Sequence, residues 1–389
     1  MKHPPSHIFQ FTPQTLAEWC TQRGWKAFRA KQILEWVYAK GVIDPQEMSN
    51  LSKAEREQLE AEMTFLSGDV IAHQRATDGT QKLLVQWSDG SESRPATAAD
   101  PLAGTLSTSL PVLNSSGFDY EAGDPSRQTE CVMIPMGEPG EPGYRRTACI
   151  SSQVGCPVGC KFCASGLGGL DGNLTTGRIV EQVWRLSRLE GVGRISNIVF
   201  MGMGEPLANF KAVTGAVRTL AADWGMGIGA RKITVSTVGL PQAISRLADE
   251  LDLPVTLALS LHAPNDELRR RLIPWAEYTT IDDLIAACNK WFSKTGREIT
   301  LEYILLRGVN DRPQHAEELA VVAKKLRANI NLIRYNEVAG LPFERPSTPD
   351  VRRFQDILRE RHLNAHIRAS RGRDIAAACG QLRHEAVGS

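Results

Sequence analysis

No apolar run in the 389-residue chain approaches the ~18 residues that a membrane-spanning helix needs, so no membrane association is expected. Charge of one sign is also lacking. Against 45 lysines and arginines stand 44 acids, and the net charge of +1 excludes a global field that draws in nucleic acid. The start, Met-Lys-His-Pro-Pro, has no apolar segment of the secretory kind. Cysteine is too sparse, at 8 in 389, for the disulfide framework of a small secreted domain. Free thiols imply a reducing, cytoplasmic setting. What is present is 42% hydrophobic residues, enough for a full core, in a length that suits two or three domains.

Local charge is less even than the total. Residues 22–41 hold Arg23, Lys26, Arg29, Lys31 and Lys40 against Glu35 alone, and the tail from 351 is rich in arginine. Each stretch reads either as a phosphate-facing patch or as a solvated helix face.

Residues 13–63 read as short amphipathic helices. Leu16, Trp19 and Cys20 form one apolar stripe, and Phe28, Ile33, Leu34, Trp36 and Val37 form another. Ser52 caps a third helix from Lys53 to about Met63. This gives a helical accessory domain over 1–67. Residues 69–75 and 81–87 alternate in polarity around Asp78-Gly79, a hairpin signal within a region set at 68–135. Residues 88–128 are rich in Ser, Ala, Gly, Asp and Pro and read as a long surface loop insert.

From 147 onward, apolar runs at 147–152, 196–202, 232–238, 255–261, 299–306 and 329–335 alternate with helical stretches. Six such units imply an α/β fold with a parallel sheet and right-handed crossovers, an open, partial (β/α)6 barrel over 136–374. Residues 375–389 form a C-terminal segment. Chemistry in such barrels sits at the C-terminal strand ends. There stand the cysteine loop, Gly202-Met-Gly204-Glu205-Pro206, Ser236-Thr237, Ser260-Leu261-His262 and Asn336.

The cysteine loop reads Cys156-Pro-Val-Gly-Cys160-Lys-Phe-Cys163, a C-x3-C-x2-C triplet. A zinc site calls for a fourth Cys or His at short spacing, and the nearest downstream histidine is His262. The triplet therefore points to an iron–sulfur site. Four-iron clusters normally take four thiolates, so three leave one iron open to a small molecule. This spacing resembles the signature of the radical S-adenosylmethionine (SAM) superfamily. The resemblance implies a [4Fe-4S] cluster whose open iron chelates SAM.

Four further runs narrow the resemblance. Ala148-Cys149-Ile-Ser-Ser-Gln-Val-Gly-Cys156, Gly202-Met-Gly-Glu-Pro, Ser260-Leu-His-Ala-Pro-Asn-Asp266 and Ala378-Cys379-Gly-Gln-Leu look like the radical SAM adenine methyltransferases. That family methylates C2 of an adenine in 23S ribosomal RNA (position 2503) and in tRNA (position 37), and a close branch methylates C8. The resemblance implies that two SAM molecules serve each turnover, with electrons from a donor such as flavodoxin or ferredoxin. Cys379 takes a methyl group from one SAM. A radical made from the second SAM removes a hydrogen from that methyl, and the resulting carbon radical adds to the base. Cys149 then attacks Cys379 and releases the RNA as a disulfide forms. The segment Thr129-Glu130-Cys131 resembles the family's base-carrying strand, which makes Glu130 the candidate proton acceptor. Gly204, Glu205, Ser236, Ser260, Leu261, His262 and Asn336 match the family's SAM contacts. Glu337 follows Asn336 where proline is expected.

Cys20, Cys131 and Cys288 fall on apolar stripes and read as core. Two other readings compete: a radical SAM reaction on a peptide or small molecule, and a non-catalytic RNA-binding or electron-carrying protein. The extra thiol Cys379 argues against the first, and the open iron against the second.

Overall fold

The computed structural model describes residues 3–87, 127–138, 140–141 and 143–382. The insert read at 88–128 therefore lies outside the described residues except for its last two.

The N-terminal part comprises β1 (Ser6–His7), α1 (Pro13–Gln22), α2 (Arg29–Leu34), α3 (Lys53–Glu62) and β2 (Met63–Thr64), with β1 and β2 paired in parallel. Thr12 accepts from the Thr15 amide to start α1, with Pro13 in the first turn, where its missing N–H costs nothing. Ser52 and Glu55 cap α3 reciprocally. Leu16, Trp19, Cys20, Ile33, Leu34 and Val37 are buried as their periodicity requires. Trp36 of the same stripe is only partly buried, and Phe28 is 52% exposed, standing just before α2, which begins at Arg29.

An antiparallel run follows: β3 (Gly68–Arg75), β4 (Gln81–Trp87), β5 (Gln128–Met136) and β6 (Arg145–Cys149). The turn between β3 and β4 is held by Asp78, whose carboxylate accepts from the Thr80 amide, and by Gly79 at φ +81°. β5 runs through position 135, so one sheet continues across the expected division between hairpin region and barrel.

After a two-stranded ribbon of β7 (Gln153–Gly155) and β8 (Leu170–Asn173), the chain alternates. In order come α4 (Thr176–Ser187), β9 (Asn197–Phe200), α5 (Phe210–Ala221), β10 (Ile233–Thr237), α6 (Pro241–Glu250) and β11 (Thr256–Ser260). Then follow α7 (Asp266–Leu272), α8 (Ile281–Thr295), β12 (Ile299–Leu305), α9 (Pro313–Ala323), β13 (Ala328–Arg334), α10 (Thr348–Glu360) and β14 (Ala365–Arg368). The sheet order β14-β13-β12-β11-β10-β9-β6 is parallel throughout, and β5, β4 and β3 extend it. The expected six strand–helix units are present, and β14 adds a strand that the apolar runs did not signal. Its short Ala-His-Ile-Arg sequence is only partly buried.

Helix faces cover the sheet. On α8, Ile281, Leu284, Ile285, Cys288 and Trp291 are all buried at helical spacing, each fully buried large apolar side chain contributing ~1.5–3 kcal/mol. The accessory helices share this core. His7 Nε2 lies 3.1 Å from the Glu181 carboxylate on α4, which also accepts from Ser67 N (2.8 Å) and Ser67 Oγ (2.9 Å). Among the described residues no helix is long and apolar enough to cross a membrane.

Candidate active site

The parallel strands aim their C-terminal ends at one cavity of about 160 Å³, open at its mouth. Its walls bring together residues far apart in sequence: Cys156, Cys160 and Cys163, then Gly204 and Glu205, then Ser236, Ser260 and His262, and finally Glu302 and Cys379. Leu261 and Asn336 do not line it.

The cysteine loop is shaped by Gly155. Its φ is +74°, and a Cβ there would fall 2.0 Å from the Gly169 carbonyl oxygen. The chain then turns so that Cys156 N donates to that same oxygen at 2.7 Å, and Cys163 N donates to Cys160 O at 3.1 Å. Phe162 is buried and meets His262 edge-on at 5.1 Å. Burial raises all three thiols, Cys156 to about 12, and Cys160 is raised further by Cys163 and Cys156. Three thiols in one low-dielectric pocket need a cationic centre to become thiolates together, and iron supplies one. Among the described residues no three His, Cys, Asp or Glu side chains are grouped as ligands of a single metal ion. The three cysteines line one wall of the cavity together.

Gly204 has φ +103°, and a Cβ would lie 2.6 Å from that of Gln153. Glu205 Oε1 accepts from Leu207 N at 2.9 Å, and Oε2 accepts from Val238 N at 2.8 Å. The carboxylate thus ties the end of β9 to that of β10, and burial pushes it up to about 7. Ser236 Oγ and Ser260 Oγ are 3.3 Å apart. His262 adopts φ +60° and its Nδ1 accepts from Ile304 N at 3.1 Å, so the proton of the neutral ring sits on Nε2. Burial, aided by Arg269, lowers its pKa to about 3. Arg269, itself fully buried, donates to the carbonyls of Leu261 (3.3 Å) and Val238 (2.5 Å).

The C-terminal segment is stitched into this mouth. Ala164 N donates to Gly380 O at 2.8 Å, Ser165 Oγ to Leu382 O at 2.6 Å, and Asn336 Nδ2 to Cys379 O at 3.3 Å. Gln381 Nε2 donates to the Glu337 carbonyl at 2.9 Å, so this loop closes without the expected proline. Asn336 acts here as a clamp on the loop. Cys379 is exposed toward the cavity, and Cys149 is buried with Val132, Met203, Ala377 and Leu382. Burial raises both thiols, Cys149 to about 12. The charge of Cys379 adds to the shift at Cys149, and Arg368 opposes it at both.

Glu130 on β5 does not line the cavity. Its carboxylate pairs with Lys82 Nζ at 2.5 Å, both side chains being buried, and Lys82 also reaches Ala376 O at 3.4 Å. Cys20, Cys131 and Cys288 are buried, as read. The basic 22–41 stretch is partly committed. Arg23 pairs with Glu62 (2.5 Å), Arg29 with Glu55 (2.9 Å), and Lys40 stacks on Trp36 (3.5 Å), while Lys26, Phe28 and Lys31 stay exposed.

Lys82, Glu302, Asn331 and Arg368 escaped the motif reading. The available signal was a lone carboxylate, Glu302, inside the apolar strand Ile299–Leu305.

A parallel barrel with three cysteines at its mouth defines a radical SAM enzyme, and residues 150–320 match the radical SAM superfamily. Residues 6–65 match the family described as ribosomal RNA large subunit methyltransferase N-terminal domain. The dual-specificity RNA methyltransferase RlmN of Dichelobacter nodosus is 38% identical over 97% of this chain and 93% of its own. The crystal structure of a radical SAM methyltransferase from Sphaerobacter thermophilus is 40% identical, covers 98% of this chain and all of its own, and superposes with a TM-score of 0.83. The chain belongs to the RlmN family of dual-specificity RNA methyltransferases.

Proposed function

We propose that this enzyme methylates C2 of adenine at position 2503 of 23S rRNA and at position 37 of tRNA, through a methyl-carrying cysteine. The observation that carries the reading is the entry of Cys379, more than two hundred residues downstream, into the cavity of the cysteine triplet, with Cys149 behind it.

In this reading Cys156, Cys160 and Cys163 hold the [4Fe-4S] cluster. Gly204, Glu205, Ser236, Ser260, Leu261, His262 and Asn336 form the SAM site, Leu261 and Asn336 through the backbone and the clamped loop. Cluster and SAM, when bound, supply an electron and a hydrogen-abstracting radical, and two SAM molecules are used per turnover. The rest is the work of the chain's own groups. Cys379 carries the methyl carbon on its sulfur, where the cavity exposes it. Glu130, paired with Lys82 Nζ, accepts the proton leaving the adenine carbon, and the one electron that the base radical must lose returns to the bound cluster. Cys149 attacks the Cys379 sulfur. An S–S bond forms, the S–C bond breaks, and the carbon keeps the electron pair and takes up a proton to become the methyl group.

An RNA adenine must be unstacked before it can reach this depth, which costs a few kcal/mol and calls for a surface that grips the backbone. Exposed Lys26 and Phe28, in the turn before α2, and Lys31 on α2 suit that role. Flavodoxin or ferredoxin is the electron donor and the cytoplasm the setting. The domains run 1–67 for RNA, 68–135 for the hairpin region, 136–374 for the barrel and 375–389 for the carrier segment.

Mass spectrometry of nucleosides from a strain lacking the gene tests the assignment. 2-Methyladenosine is expected to disappear from rRNA and tRNA. Its retention with loss of 8-methyladenosine would move the enzyme to the C8 branch.

A further inference from the structure

Adjacent strands lay a polar row across the floor of the cavity. Ser260 on β11, Glu302 on β12 and Asn331 on β13 stand in register, so their side chains share one face of the sheet. Ser236 Oγ on β10 extends the row, 3.3 Å from Ser260 Oγ. At the far end Asn331 Nδ2 donates to Glu302 Oε1 at 2.9 Å, and Arg368 Nη1 on β14 lies 3.7 Å from the same oxygen.

Glu302 Oε2 is different. It is buried and has no hydrogen-bond partner among the described residues, although Glu302 lines the cavity and is only 3% exposed. An unmatched buried acceptor is costly, so native proteins rarely keep one without a ligand or water to complete it. Two features narrow the missing donor. Arg368 and Asn331 both stand on the Oε1 side of the carboxylate, so the donor to Oε2 need not be a cation. Glu302 also sits in mid-strand, below the C-terminal strand ends, so its ligand lies deep. The neighbours at that depth are two serine hydroxyls, suited to a sugar carrying vicinal hydroxyls.

We propose that Glu302 Oε2 accepts a hydrogen bond from a ribose hydroxyl of SAM, with Asn331 and Arg368 as the groups that hold the carboxylate in place. The inference rests on the reading that Ser236 and Ser260 belong to the SAM site. It adds a carboxylate acceptor to that site and makes it selective for a ribonucleoside.

The test is anaerobic equilibrium dialysis of cluster-loaded enzyme with SAM and with its 2′-deoxy and 3′-deoxy forms. A hydrogen bond to a charged group is worth about 10- to 100-fold in Kd. Wild type is expected to bind one deoxy form weaker by that factor. Glu302→Gln should bind SAM weaker by a similar factor and lose most of the discrimination. Unchanged SAM affinity or full discrimination in Glu302→Gln overturns the proposal. Ser260→Ala separates the two levels of inference: if it too binds SAM normally, the site reading fails; if it alone is weakened, only the role of Glu302 fails. Should Glu302→Gln lose iron or fold, Glu302→Asp keeps the charge while withdrawing the oxygen, and retained discrimination there is equally fatal.

Discussion

Lys82 Nζ lies 2.5 Å from a carboxylate oxygen of Glu130, a diagonal pair on one face of neighbouring antiparallel strands, and both side chains are less than a tenth exposed. Removing one partner of such a pair strands a buried charge and costs about 3–5 kcal/mol, whereas removing both costs far less. Lys82→Met should therefore lower the unfolding free energy by that amount, and Lys82→Met with Glu130→Gln should recover much of it. A double variant no more stable than Lys82→Met would show that the pair is not coupled. Chemical denaturation of cluster-free protein gives the comparison.

Two buried groups at the cavity impose opposite pH dependences. His262 titrates at about 3 when folded against 6.5 ordinarily, so the unfolded chain binds more protons between those values. Stability from this group is present above 6.5 and is lost as pH falls, by up to ~1.4 kcal/mol per unit. Glu205 is raised from 4.5 to about 7, so its contribution is present below 4.5 and is lost as pH rises through 7. Between 4.5 and 6.5 the two oppose each other. In that window Glu205→Gln should lose stability more steeply on acidification than wild type, and His262→Gln should lose it on alkalinisation. Identical profiles for all three proteins would rule out the burial effect.

The cysteine triplet makes a simple compositional claim. Iron bound per chain after anaerobic reconstitution should collapse in Cys160→Ala, because two thiolates cannot retain a four-iron cluster stably. Undiminished iron in that variant would refute the assignment.

Gly155 sets the entry to that loop. Alanine there meets both a left-handed backbone, costing ~1–2 kcal/mol, and a carbonyl oxygen 2.0 Å from the new Cβ. Gly155→Ala should lower Tm by several degrees and reduce iron retention, while Gly229→Ala, with open space around it, should do neither. Equal behaviour of the two would remove the steric argument.

Cys379 lines the cavity and Cys149 is buried behind it, and their roles should differ accordingly. Cys379→Ala is expected to form no methyl-carrying intermediate and no RNA product. Cys149→Ala is expected to accumulate RNA bound covalently to Cys379, visible as a denaturation-resistant band. Absence of crosslinked RNA in Cys149→Ala would count heavily against the carrier scheme.

Periodicity, turn chemistry and cysteine spacing are local properties, and the sequence alone sufficed for them. Leu16, Trp19 and Cys20 are buried in α1 because a helix repeats every 3.6 residues, and Asp78-Gly79 turns the hairpin because glycine tolerates a positive φ. The six strand–helix units were legible for the same reason. The family motifs pointed to Cys379 and Cys149, but only the folded chain shows the contacts that seat the C-terminal segment, from Ala164, Ser165, Asn336 and Glu337. The pairing of Lys82 with Glu130 depends on sheet register, and the row from Ser236 to Arg368 on the order of five strands. Phe28, read as core, is exposed just before the helix that begins at Arg29. Local sequence selects each element by the side chains within one or two turns of it. Which polar groups share a cavity is decided by contacts across the whole chain, and no short window of sequence contains them.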